Sequence, residues 1–160
     1  MREDFTNISL RRLTKLHPRL QHSALTCYQK CVEKNIPLYI TWTRRSVEEQ
    51  DLLYRFGRDL PGKIQTYIRG DLSPHCHGLA IEFCLYNGKD LYEWPQCENT
   101  RYWRWMWIKV TKTFEQVGWT TGWRWQNFQP GYLENLLGKS VIQHKVEKDD
   151  TLKQSWLGYM

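Results

Sequence analysis

The sequence contains no hydrophobic run approaching the ~20 residues that a membrane-spanning helix needs. Met1 to Phe5 supply neither the apolar centre nor the small-residue cleavage site of a signal peptide, so we predict synthesis in the cytoplasm. Internal repeats and low-complexity segments are absent as well. These absences argue against a membrane-embedded or repetitive protein and favour one globular domain.

Cysteine is present, but not in a pattern that suggests pairing. The five cysteines are an odd number and include no Cys-x-x-Cys pair, which argues against a disulfide framework. We therefore predict free, buried thiols at Cys27, Cys31, Cys76, Cys84 and Cys97.

Aromatic and basic residues are in excess. The 160 residues are enough for one domain with its own core, and nine Trp and nine Tyr raise the aromatic share to 14%. The formal net charge is +6. This charge favours an anionic partner, and nucleic acid, an acidic cell-wall polymer and a membrane surface all satisfy it.

Hydrophobic periodicity predicts two helices and then a strand in the first part of the chain. A short helix is interrupted at His17-Pro18 and is followed by a longer one. Residues 38–43 are dense in β-branched and aromatic side chains, which predicts a strand. Ser46 and Glu49 have the spacing of a capping box and predict the start of the next helix.

The second half of the sequence predicts a sheet and one more long helix. Residues 64–68 suggest a short extended segment, and residues 79–86 predict a central strand closed by an Asn-Gly turn. Residues 102–117 are apolar on all sides, which predicts a largely buried helix. We divide the chain into a tail, a domain and a charge-rich extension, which span 1–8, 9–144 and 145–160.

One turn carries candidate metal chemistry. His75 and Glu82 are seven residues apart on a segment that leads into the central strand. A closed zinc site needs about four ligands, and a catalytic one needs about three together with water. The turn supplies two donors, so a third ligand and a general base decide whether the site can work.

Four blocks of the sequence follow one another in a characteristic order. They are Leu13 to Leu20, Arg45 to Tyr54, Gly57 to Thr66, and Ser73-x-His75-x-x-Gly78-x-Ala80-x-Glu82-Phe83. In order and spacing they resemble the zinc-dependent peptidoglycan peptidases. That family includes D-alanyl-D-alanine carboxypeptidases, L-alanyl-D-glutamate endopeptidases and many phage endolysins.

The resemblance implies an α+β fold, in which helices flank a small antiparallel sheet that carries zinc at its open face. It implies that His75 is the first zinc ligand, and it puts Glu82 where the family has its second ligand, Asp. Arg45 would orient the substrate in catalysis by binding a carbonyl or carboxylate through its planar guanidinium. Ser73 would hydrogen-bond near the site and contact the substrate, and Gly78 would keep the turn tight.

The resemblance breaks in the late block, where the family reads Gly-Gly-Asp-Trp and then Asp-x-Pro-His-Phe-Glu. The corresponding stretch here, which ends at Glu134, contains neither histidine nor aspartate. When the family block is aligned on Glu134, Tyr132 stands at the position of the third ligand and Gln129 at that of the catalytic base. A second alignment puts Leu133 and Pro130 at these positions.

These replacements predict loss of hydrolysis. Glutamine cannot accept a proton from zinc-bound water, a step worth about 10²- to 10⁴-fold. Neutral tyrosine is a poorer zinc ligand than imidazole. Glu82 also adds a methylene, which shifts its carboxylate by about a bond length. The alternative is a rearranged zinc site formed by His75, Glu82 and His144.

Six tryptophans fall within 23 residues near the late block: Trp103, Trp105, Trp107, Trp119, Trp123 and Trp125. Trp103 and Trp107 have the spacing of core residues on a helix. Trp123 and Trp125 alternate on one side of an extended segment, which makes them candidates for binding peptide or glycan.

The sequence thus predicts a catalytically degenerate homologue, a binding or structural module for cell-wall peptide or glycan or for a protein partner, without a cofactor. The alternative is an active zinc peptidase that cleaves peptidoglycan stem peptides, with zinc as cofactor. A nucleic-acid-binding module is the weaker alternative, because Lys and Arg are spread along the chain without a known motif. Without a signal peptide, action at a cell wall would follow lysis or delivery by a particle.

Overall fold

The structure is a computed structural model that describes residues 4–122 and 131–135, with the backbone alone at residues 95, 134 and 135. The helices are α1 (Phe5–Leu13), α2 (Pro18–Glu33), α3 (Val47–Arg55), α4 (Trp94–Glu98) and α5 (Arg101–Glu115). The strands are β1 (Leu38–Trp42), β2 (Ala80–Tyr86), β3 (Leu91–Tyr92), β4 (Trp119–Thr121) and β5 (Tyr132–Asn135). Two short 3-10 helices, Gly70–Leu72 and Pro74–His77, precede β2.

The strands form one antiparallel sheet in the order β1-β2-β5-β4, with β3 paired to the end of β2. Helices α2 and α5 contact each other, and α1 contacts β1. The predicted α+β fold, a small antiparallel sheet flanked by helices, is confirmed. No helix within the described ranges is both long and apolar enough to cross a membrane.

Polar contacts hold α1 against the outer strand of the sheet. The Ile40 amide donates to Ser9 Oγ at 3.1 Å, and Arg12 Nη1 donates to the Ile40 carbonyl at 2.6 Å. Thr43 Oγ1 donates to the Arg12 carbonyl at 2.7 Å. These bonds satisfy backbone groups that an open strand edge would leave unpaired.

The core lies between the sheet and the helices. Its fully buried members include Ile81 and Leu133 from the sheet and Trp107 and Phe114 from α5. All five cysteines are free and buried, as predicted. Burial raises the pKa of the Cys27 thiol to about 11, so at neutral pH it stays protonated and contributes to packing.

The predicted capping box at α3 is confirmed. Glu49 N–H donates to Ser46 Oγ at 3.0 Å, and Ser46 N–H donates to Glu49 Oε2 at 2.8 Å. Together the two bonds satisfy donors that the first helical turn cannot pair internally.

The structure differs from the sequence predictions in three details. Residues 64–68 form no strand, because side chains bind their backbone instead: Gln50 Nε2 donates to the Ile68 carbonyl at 2.7 Å, and Arg58 Nη1 donates to that of Thr66 at 3.2 Å. Helix α5 is not buried on all sides, since Tyr102 is 56% and Trp105 49% exposed. The first helix also begins at Phe5, before residue 9.

Gly78 closes the turn before β2 with a left-handed backbone. Its φ is +68°, and a Cβ built there would lie 2.7 Å from His17 N, which also donates to the Gly78 carbonyl at 2.9 Å. Gly88 also has a positive φ, +93°, but a Cβ there would meet nothing within 4 Å. A side chain is therefore excluded at Gly78 by the backbone at His17 as well as by φ.

We expect Gly78→Ala to lower the free energy of unfolding more than Gly88→Ala. Gly88→Ala carries only left-handed strain, about 1 kcal/mol. Gly78→Ala also displaces the His17 backbone and should lose about 2 kcal/mol more. Urea unfolding of the two variants measures the difference, and equal losses would contradict the close approach at His17.

Candidate active site

The His75 ring is fixed by a backbone carbonyl. His75 lies in the 3-10 helix Pro74–His77, is 3% exposed, and has Nδ1 2.5 Å from the Thr43 carbonyl oxygen. A carbonyl can only accept, so Nδ1 carries the proton and donates it. This orientation directs Nε2 toward the sheet, and metal-binding histidines commonly have the same outer hydrogen bond.

Glu82 meets two basic side chains through one oxygen. Its Oε1 lies 3.0 Å from His75 Nε2 and 3.2 Å from Arg45 Nη2. With Nδ1 already protonated, a neutral ring would turn the Nε2 lone pair toward the carboxylate. The two acceptors would repel each other, so the contact requires a proton on Nε2 or a cation between the atoms.

The neighbours of Glu82 set the direction of its pKa. Burial alone would raise the pKa, but the hydrogen bond and charge of His75 and the charge of Arg45 outweigh it. The pKa of Glu82 therefore lies below its usual value, and the side chain is a carboxylate at neutral pH.

Arg45 is 7% exposed and connects the site to α3. Its Nη1 donates to Gln50 Oε1 at 2.7 Å, and its guanidinium carbon lies 5.0 Å from the centre of the Trp42 ring. Arg45 therefore engages neighbouring side chains with both Nη atoms. Its predicted role in orienting a substrate stays a prediction.

Strand β5 brings Tyr132 to the same place. Tyr132 pairs directly with Glu82 in the sheet, and its ring centre lies 5.5 Å from that of His75 at an interplanar angle of 72°. Leu133 pairs with Ile81 and is 0% exposed, in the core. Because side chains alternate along a strand, Tyr132 rather than Leu133 faces His75 and Glu82.

These residues fit a zinc ion only in part. The donor atoms of His75 and Glu82 are 3.0 Å apart, close to the ~3.3 Å that two ligands of one tetrahedral zinc ion span. In the part of the chain that the structure describes, however, no three His, Cys, Asp or Glu side chains come together as a metal site. His75 and Glu82 alone do not complete the ligand set of either kind of zinc site.

The other sequence candidates divide into two groups. Ser73 is 3% exposed beside His75, and its carbonyl accepts from the Cys76 amide at 3.0 Å. Its predicted contact with substrate stays a prediction. Four candidates lie outside the described residues: Trp123, Trp125, Gln129 and His144.

A cleft of about 440 Å³ opens beside Glu82 and Tyr132. Its walls include Trp42, Trp94 and Glu93, none of which was predicted from the sequence to line a site. Glu93 is exposed at the N-cap of α4. An acidic residue before Trp-Pro at a helix start suggests only capping, so the sequence held no signal for this role.

The histidine turn, the β2 carboxylate and the antiparallel sheet define the class as a peptidoglycan peptidase domain. Over 115 residues the chain is 33% identical to the peptidoglycan L-alanyl-D-glutamate endopeptidase CwlK of Bacillus subtilis (strain 168). The match covers 71% of this chain and 69% of CwlK. The chain therefore belongs to the zinc-dependent peptidoglycan peptidase family, as the sequence predicted.

Two solved structures share the fold. The L-Ala D-Glu endopeptidase ChiX of Serratia marcescens has a TM-score of 0.55 at 15% identity, over 81% of this chain and 86% of ChiX. The LD-carboxypeptidase LdcB has a TM-score of 0.59 at 12% identity, over 81% of this chain and 64% of LdcB. No protein-family model matches the chain.

We expect Arg45→Met to destabilise the protein by about 2 kcal/mol or more. Removing one partner of a buried ion pair costs about 3–5 kcal/mol, and the 37% exposure of the Glu82 side chain reduces this. Arg55→Met is the matched control, because Arg55 and Asp59 form an exposed pair at 2.7 Å. Chemical denaturation measures both, and equal losses would show that Arg45 does not anchor Glu82.

Proposed function

We propose that this protein is a catalytically degenerate peptidoglycan peptidase homologue that binds cell-wall peptide or glycan in its cleft. The observation that carries the proposal is Tyr132, whose ring stands beside His75 and Glu82 where a third metal donor is needed. A phenol is a poor zinc ligand at neutral pH. Among the residues that the structure describes, the site therefore keeps the family's scaffold without its full donor set.

The contacts of Glu82 support the same conclusion. One oxygen of the carboxylate accepts from Arg45 and faces His75, so the charge that would hold a metal already has two partners. The Arg45 guanidinium therefore neutralises this carboxylate without a metal. Gln129, the residue at the position of the base, cannot take up a proton.

The cleft supplies what a binding site needs. The rings of Trp42, Trp94 and Tyr132 form much of its wall, and Glu82 and Glu93 add carboxylates. Aromatic walls with a few polar groups are typical of sites for small organic ligands. CwlK and ChiX are both L-Ala-D-Glu endopeptidases, so the stem peptide of peptidoglycan is the ligand class we propose.

Active hydrolysis is the second candidate, and one observation favours it. The Nδ1 hydrogen bond to Thr43 orients His75 as metal-bound histidines are oriented. A working peptidase would take its remaining donors from elsewhere in the chain, as in the rearranged set with His144. Zinc would then supply a polarised water for attack on the amide.

Metal content and product release separate the two candidates. We expect protein purified without added zinc to contain a trace of metal, because two donors hold the ion weakly. We also expect it to sediment with insoluble peptidoglycan without releasing new amino termini. One equivalent of zinc, with release abolished by chelator and by His75→Ala, would establish the active peptidase instead.

Binding in the cleft has its own test. Trp42→Ala should weaken cosedimentation with peptidoglycan severalfold, because Trp42 is 42% exposed at the cleft. Tyr67→Ala is the control, since Tyr67 is 64% exposed and does not line the cleft. If both variants bind as the unmodified protein does, peptidoglycan is not held by this cleft.

Restoring the family residues tests the ligand assignment directly. We expect the triple variant Glu82→Asp/Gln129→Asp/Tyr132→His to gain about one equivalent of zinc, because it completes three protein ligands and a base. Glu82→Asp/Gln129→Asp/Tyr132→Phe is the matched control, with an aromatic ring but no donor. Equal metal content in the two variants would show that residue 132 is not the missing ligand.

A further inference from the structure

Helix α5 exposes a basic face. Arg101, Arg104 and Lys112 are exposed and Lys109 is half-buried. At 100° per residue, these four side chains fall in one arc of the helix. The buried side chains Trp107, Val110 and Phe114 lie on the other side and enter the core.

Two aromatic rings lie among these cations. Tyr102 is 56% and Trp105 is 49% exposed, and the Lys109 ammonium is 4.0 Å from the centre of the Trp105 ring. The half-buried Ile108 lies one turn further along the same arc. The face therefore offers half-exposed rings and cations side by side along about 22 Å of helix.

Acidic residues are almost absent from this helix. Its sole acid is the last residue, Glu115, whose carboxylate accepts a hydrogen bond from Thr121 Oγ1 at 2.8 Å. Before the helix, the nearest acid in the sequence is Glu98. The positive charge of the face is thus not balanced by acids within it.

We propose that this face of α5 docks on the surface of an anionic phospholipid bilayer. Lys and Arg gain about 1 kcal/mol each near such a surface, a factor of about five in partitioning. Trp and Tyr favour the headgroup region, where one edge of the ring is wet and the rest is apolar. A row that combines both residue types matches this layer in charge and in polarity.

Other partners fit less well. A neutral glycan would contact the rings but would leave four cations without anionic partners. A nucleic-acid duplex presents phosphates, but its stacked bases are not accessible to half-exposed rings on a helix side. A single strand could bind the cations through its phosphates and the rings through its bases, so a single-stranded oligonucleotide is the competing ligand to test.

Vesicle sedimentation with the full chain tests the proposal. We expect binding to vesicles of phosphatidylcholine mixed with phosphatidylglycerol, little binding to phosphatidylcholine alone, and weakening by salt. Arg104→Gln/Lys112→Gln should lower the partition coefficient about 25-fold, or about fivefold for each charge. Trp105→Ala should lower it severalfold at unchanged charge.

The control removes the same charge elsewhere. Lys63→Gln/Lys89→Gln neutralises two exposed lysines in loops and should reduce binding much less. Equal loss in the two double variants, equal binding to both vesicle types, or no binding would overturn the proposal. Retention by a single-stranded oligonucleotide without vesicle binding would assign the face to nucleic acid instead. The result does not depend on the cleft, since peptidoglycan binding is measured separately.

Discussion

The backbone register of β2 decides which side chains meet at the candidate site. Trp42 of β1 pairs with Glu82 on one side of β2, and Tyr132 of β5 pairs with it on the other. One extra residue, Thr41, shifts the register between Ile40 and Trp42, so the three side chains come into one row. A slip of one residue would instead turn Glu82 toward the core.

Within this register, a chain of polar contacts crosses the domain. The Ile68 carbonyl accepts from Gln50, Gln50 accepts from Arg45, and Arg45 donates to Glu82. His75 continues the chain from Glu82 to the carbonyl of Thr43. The bonded members of this network position Arg45 and Glu82, while the buried nitrogens Arg45 Nε and His75 Nε2 have no hydrogen-bond partner among the described residues.

Sequence reasoning identified the parts of this network that have local signals. The capping box at Ser46 depends on residues three apart, and the apolar run of β2 before its Asn-Gly turn is local too. The contact of Tyr132 with His75 joins residues far apart in the chain, and resemblance rather than periodicity indicated it. Glu93 had neither kind of signal, because only the packing of α4 against α5 and β3 brings it to the cleft.

Helix α5 shows a second limit of pattern analysis. Its sequence holds Trp103, Trp105 and Trp107 among other apolar residues, and hydrophobic content alone predicted a largely buried helix. Lys109 above the Trp105 ring and the arc of cations around it are better signals, because a buried face cannot accommodate unpaired charge.

Trp107 lines the cleft from one side of α5, while Trp105 is exposed about 160° away around the helix. A single rigid element therefore joins the cleft wall to the basic face. If both surfaces are occupied together, the ligand in the cleft lies within a helix diameter of the bilayer, about 10 Å. Peptidoglycan held at that distance would be the part of the wall nearest the membrane. The same helix would then contribute to ligand binding and determine where in the wall the ligand is bound.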